Sequence, residues 1–161
     1  MKPLVARQVG AADTAALTLT LTYDDRFLRR RVLTCDDGTE VLVDLAQTTS
    51  LNAGDHLLCE GGAAIAIVPA VEDLLEITAE RLLSIVWHIG NRHCPCQIEA
   101  TRVLIQPDHV LRDLMVKLGA QVVDVKETFT PEGGAYGQGR THGHDHSHSH
   151  SHSHSHSHSH G

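Results

Sequence analysis

Residues 74–128 read LLEITAERLLSIVWHIGNRHCPCQIEATRVLIQPDHVLRDLMVKLGAQVVDVKET. The hydrophobic period changes repeatedly along this stretch. Leu74–Thr78 is a short apolar run of strand length. Thr78 is a capping residue type, and Ala79–Ile89 repeats apolar residues at helical spacing until Gly90, which predicts a helix over 79–89. Leu82, Leu83, Ile85, Val86, Trp87 and Ile89 make that helix apolar over much of its circumference. Such a helix is expected to be buried against a sheet or a partner subunit. Gln97–Ala100 and Arg102–Gln106 read as two short strands. Pro107 suits the first turn of a second helix, with Asp108 near its positive end. Val110, Leu111, Leu114, Met115 and Leu118 line one face of it before Gly119 stops it. Gln121–Thr128 closes the series as a strand. Strand, helix, strand, strand, helix, strand is the split βαβ order of a ferredoxin-like domain.

Upstream the period is two. Leu17, Leu19 and Leu21 alternate with Thr18, Thr20 and Thr22, as in a half-buried strand. Phe27–Thr34 resumes after Asp24-Asp25, and Arg29, Arg30 and Arg31 within it read as a solvated face. Asp36-Asp37-Gly38 turns the chain into Glu40–Leu45, a hairpin. Asn52-Ala53-Gly54-Asp55 is a second turn, followed by short strands at His56–Cys59 and Ala63–Val68. No helical period precedes Pro69. His56 reads as a surface residue and Cys59 as a buried thiol. The fold class is therefore α+β: an all-β domain over 1–70, a ferredoxin-like domain over 71–130 and a disordered His-rich tail over 131–161.

Composition limits the function. The net charge is −7 with histidine neutral, which disfavours a nucleic-acid partner. With one Trp, two Tyr and two Phe, a base-stacking platform is not expected. No run of about 18 apolar residues is present, so no membrane span is expected. No secretory h-region follows Lys2 and Arg7, so a cytoplasmic location and reduced cysteines are expected. No nucleophile–base pair, paired-carboxylate motif, phosphate loop or His-Glu-x-x-His occurs, so no catalysis is expected.

The distinctive chemistry is imidazole. Ten of the fourteen histidines lie beyond Thr141: His142, His144, His146, His148, His150, His152, His154, His156, His158 and His160. Spaced by Ser and Gly, they form a multidentate ligand set for nickel, copper, zinc or cobalt. A purification tag is the bland alternative, but the Ser-His alternation, Asp145 and Gly161 favour a native tail. In the folded part, His93 follows a helix end and His109 falls in the first turn of the second helix. On the residues alone His93 reads more readily as a surface histidine that satisfies the helix end than as a ligand, while His109 reads equally as either. Cys94-Pro95-Cys96 adjoins His93, and two thiols there are a possible additional metal site or spectators.

These residues carry a resemblance. Gly90-Asn91-Arg92-His93-x-Pro95-x-Gln97, Asp108-His109-Val110-Leu111, Phe129-x-Pro131-Glu132-x-Gly134-Ala135-Tyr136 and the histidine tail, with Leu51-x-x-Gly54-Asp55 upstream, resemble the UreE urease accessory family across essentially the whole chain. The resemblance implies a nickel metallochaperone delivering Ni(II) to the urease metallocentre. It implies a peptide-binding-like β domain and a ferredoxin-like domain that forms a homodimer. It also implies His93 as the interface ligand, His109 as a peripheral ligand and the tail as added capacity. The implied partners are the GTPase UreG and the UreF/UreD (UreH) complex with apo-urease. Zn(II) and Cu(II) are expected competitors. Two departures stand out. Pro107 occupies a position where some members carry another histidine, and cysteines 94 and 96 fill variable positions of the motif. The competing expectations are a histidine-rich storage or detoxification protein and a peptide-binding module with an incidental tail. A metal-dependent hydrolase is a more distant third.

Overall fold

The computed structural model describes residues 3–133. The first sheet is built from β1 (Leu4–Gly10), β2 (Leu17–Leu21), β3 (Phe27–Thr34), β4 (Glu40–Ser50), β5 (His56–Cys59) and β6 (Ala64–Pro69). Their spatial order is β2-β6-β5-β1-β4-β3. β2 lies parallel to β6 and β1 parallel to β4, while the other pairs are antiparallel. The alternation that predicts these strands also fills their core, where Leu19, Val41, Val43, Leu57, Ile65 and Ile67 are buried together.

Sequence patterning misses β1, a central strand of this sheet. Arg7 and Gln8 interrupt its apolar residues, and the register slips between Ala6 and Gln8. It likewise ends β4 too early. Gln47-Thr48-Thr49-Ser50 has no hydrophobic signal, and these residues are strand because the backbone continues to pair, Phe27 opposite Ser50 and Leu28 opposite Thr49. Arg29, Arg30 and Arg31 are all exposed, as expected.

The second sheet comprises β7 (Val71–Thr78), β8 (Cys96–Ile98), β9 (Val103–Ile105) and β10 (Gln121–Thr128). The order β10-β7-β9-β8 is antiparallel throughout. Helices α1 (Leu82–Asn91) and α2 (His109–Lys117) join the strands in the split βαβ order and pack on one face. Ile77, Ile85, Ile89, Val103, Ile105, Leu111 and Met115 form the core between them.

The bounds of α1 differ from the sequence expectation at both ends. Thr78 does not cap it, because Thr78 pairs with Gln121 as the last residue of β7. Arg81 takes the cap position without a side-chain hydrogen bond. Nor does Gly90 end the helix, which runs on through Asn91. Pro107 stands outside α2. Asp108 is its cap, the carboxylate accepting from Val110 N at 2.9 Å and Leu111 N at 3.1 Å.

The second sheet's other face meets the β domain. Leu74, Leu104 and Phe129 are buried there, and the Phe129 ring stands edge-on to Tyr23 at 5.2 Å. Arg26, only 2% exposed, donates to Leu21 O at 3.1 Å and to Phe129 O, bridging the domains. Tyr23 N donates to the Glu72 carboxylate at 2.9 Å and Ala70 N to Leu21 O at 2.8 Å. Farther along, Arg102 binds Glu76, Glu99 and Glu127 together. Among the described residues no helix is long and apolar enough to cross a membrane.

Candidate metal centre

The C-terminal end of α1 sets His93. Arg92 N donates to Ile89 O at 3.1 Å and His93 N to Gly90 O at 3.0 Å, closing the last turn. His93 then adopts φ of 54°, the only non-glycine positive φ among the described residues. Glycine ordinarily takes this position after a helix. A side chain there costs about 1 kcal/mol, although histidine tolerates the left-handed region better than most residues. The result is an exposed imidazole projecting from a tight, hydrogen-bonded turn. Sequence alone assigned the turn to Gly90, three residues early.

Cys94 and Cys96 follow, both half-buried and packed against the core beneath the helices. Burial pushes the Cys94 thiol up to about 11, with Cys96 and Asp108 adding to the shift. The Cys96 thiol is raised too, chiefly by burial and then by Glu132. Both are protonated near neutral pH, so an ion binding here must displace the protons. Cys96 pairs with Ile105 in the antiparallel β8–β9 ladder, so Cys94 just before it and Asp108 just after Ile105 lie at the same end of the sheet. His109, the first residue of α2, is exposed at that same end of the domain.

His88 stands apart. It is half-buried and lines a depression with Thr78, Glu80, Ser84 and Gly119. His56 is also half-buried, not a surface residue as its strand position suggested, and its Nδ1 is sealed from solvent. Cys59 is buried as expected. Among the described residues no three His, Cys, Asp or Glu side chains are gathered to hold an ion. His142 to His160 and the motif residues Gly134, Ala135 and Tyr136 lie outside the described residues.

Two features anticipated only in outline take definite form in the structure. One is the outer face of α1. Ile85 and Ile89 are buried, but Leu83 is 87% exposed and Trp87 62%. Apolar residues over much of the circumference carry that signal, since a single sheet covers only one side. The other is Gln97, whose side-chain oxygen accepts from Thr130 N at 2.9 Å, while Glu132 N donates to Cys96 O at 2.9 Å. Residues 129–132 are therefore pinned across the sheet, and Gly133 leaves beside Cys96, three residues from His93.

A β domain joined to a ferredoxin-like domain, with an exposed histidine on the loop after the first helix, defines a two-domain α+β protein. Comparison with known proteins narrows the class. Residues 2–70 match the model of the UreE urease accessory protein N-terminal domain, and residues 72–160 that of the C-terminal domain. The urease accessory protein UreE of Ruegeria sp. (strain TM1040) is 61% identical over 124 residues, 77% of this chain and 70% of its own length. That of Ruegeria pomeroyi is 54% identical over 137 residues, covering 85% and 92%. That of Rhodobacter capsulatus is 47% identical over 134 residues, covering 83% of each. The chain belongs to the urease accessory protein UreE family, accessory to urease and not itself an enzyme.

Proposed function

We propose that this protein is a cytoplasmic nickel metallochaperone that carries Ni(II) for assembly of the urease metallocentre. The observation that carries the reading is His93: an exposed imidazole held in a left-handed turn, at the end of a helix whose outer face is apolar. That face, Leu83 and Trp87, is what a homodimer formed through the second domain would cover. One nickel then sits between two His93 side chains across the two-fold axis. Two imidazoles leave the ion's coordination sphere incomplete, and His109, water or a tail histidine from His142 to His160 completes it.

An unsaturated, solvent-reachable ion suits delivery. A receiving ligand attaches before the old ones leave, so the ion is never free. The acceptors in this reading are the GTPase UreG and the UreF/UreD assembly on apo-urease. The ligands bind as neutral imidazole, so affinity falls at acid pH. Imidazole does not by itself select nickel over Zn(II) or Cu(II), and the divalent affinity order favours copper. Selectivity therefore comes from geometry and from the receiving partner.

The test is nickel titration by calorimetry with molecular mass followed in parallel, using the full chain, a chain ending at Gly139, and that shorter chain with His93→Ala. The expected result is about one nickel per dimer in the shorter chain and none after His93→Ala. If the shorter chain binds no nickel, or His93→Ala changes nothing, the interface site is wrong. Storage or detoxification by the tail then takes its place, as ten histidines in so short a segment would support.

A further inference from the structure

The nickel reading leaves Cys94 and Cys96 unused. Cys94 precedes Pro95, and a proline pushes the residue before it into extended backbone. Cys96 opens β8. Side chains two apart on an extended chain share a face. Both cysteines do pack against the one core beneath α1 and α2, and both stay half-buried. Pro95 has its own φ locked, which removes one backbone rotation between the two thiols, and Cys94 Sγ donates to Pro95 O at 3.6 Å. Alternate strand residues are roughly 6.6 Å apart, near the long limit for a disulfide. In the structure both are free thiols.

We propose that Cys94 and Cys96 form a two-thiolate site for a soft monovalent cation, the cuprous ion, separate from the imidazole site at His93. Two same-face thiolates suit a soft ion that accepts low coordination, whereas Zn(II) requires about four ligands. Each thiol gives its proton to solvent as its sulfur–copper bond forms. Two protons leave per ion, and copper stays in the +1 state throughout. The pair adjoins His93 in sequence, so it holds reduced copper apart from the imidazole that nickel needs. That purpose rests on the nickel reading of His93; the thiol site itself does not.

The experiment uses the full chain under anaerobic conditions, with cuprous ion supplied from a competing chromophoric chelator. Wild type, the double variant Cys94→Ser/Cys96→Ser, and His93→Ala are compared. Wild type should take one more cuprous ion per protomer than the double variant, with a near-ultraviolet sulfur-to-copper band that the double variant lacks. His93→Ala should keep both the ion and the band, while nickel binding by the double variant stays within about two-fold of wild type. Equal uptake by wild type and double variant, or no such band in wild type, overturns the proposal. Loss of the band in His93→Ala overturns its separateness. A readout without any variant guards against misfolding: alkylation of Cys94 and Cys96 in wild type, followed by peptide mass. Cuprous ion should slow it at least ten-fold, and an unchanged rate overturns the site. A nickel titration in which His93 proves irrelevant would leave these copper outcomes readable, so the two readings fail separately.

Discussion

The two domains use apolar surface in opposite ways. Among the described residues, ten large hydrophobic side chains are exposed, and only Val32 and Val68 of them belong to the β domain. The other eight, Leu83 and Trp87 of α1 among them, belong to the domain that carries His93. The β domain closes its core on itself. The ferredoxin-like domain has one sheet face covered by two helices and part of the other by the β domain, and the outer side of α1 is left over. A helix that is apolar over much of its circumference needs more than one cover, and the fold of one chain supplies a single one. The chemistry divides the same way: among the described residues the exposed imidazoles, His93 and His109, lie in the domain with surplus apolar surface.

The largest expected effect tests whether the domains are separate at all. Phe129 is fully buried and joins the second sheet to Tyr23 and Arg26. Phe129→Ala should cost about 3–5 kcal/mol in urea denaturation and split one transition into two. A single transition with a small shift would mean that the domains do not depend on this contact. Next is the surplus face itself. Trp87→Ala should leave the protomer's stability nearly unchanged but weaken self-association by about 2 kcal/mol or more, roughly 30-fold in dissociation constant. Sedimentation would show it, and an unchanged mass distribution would mean that Trp87 meets no second copy.

A smaller effect lies at His93. Its positive φ suits glycine, so His93→Gly should be about 1 kcal/mol more stable than His93→Ala, while both lose core nickel equally. Equal stabilities would show that the turn relaxes. The smallest effect belongs to the β domain. Asp36 accepts from the Thr18 and Thr20 hydroxyls and from Thr20 N, which holds its carboxyl below the usual range. A lowered folded value means that its contribution is complete above the ordinary carboxylate range. It is lost as pH falls through the lowered value. The stability gap between wild type and Asp36→Asn should accordingly be constant near neutral pH and shrink only below about pH 4. A gap that closes already at pH 6 would assign the effect to another group.

The sequence read best where local pattern and tertiary demand agree. β10 falls on Gln121–Thr128 as expected, because Val122 faces the helices and Val125 the other side. α2 ends where Gly119 turns left-handed. It read worst where pairing overruled pattern. β1 is a strand because β4 and β5 flank it, not because Leu4–Gly10 alternates. Thr78 is lost as a cap because Gln121 claims it for the sheet. Of the candidate centre, His93 and His109 were legible as exposed histidines near helix ends. The left-handed turn at His93 was not, since it depends on α1 running past Gly90.

By itself the sequence determined the division into a β half and a split βαβ half, the family, and a tail rich in imidazole. Those follow from periodicity, turn residues and side-chain type, which are local properties. Only the tertiary structure decided that Leu83 and Trp87 face outward, that Cys94 and Cys96 share one core, and that Phe129 and Arg26 join the domains. The reason is physical. Burial and pairing are contests among all segments for a limited amount of covered surface, and no segment carries the outcome in its own residues.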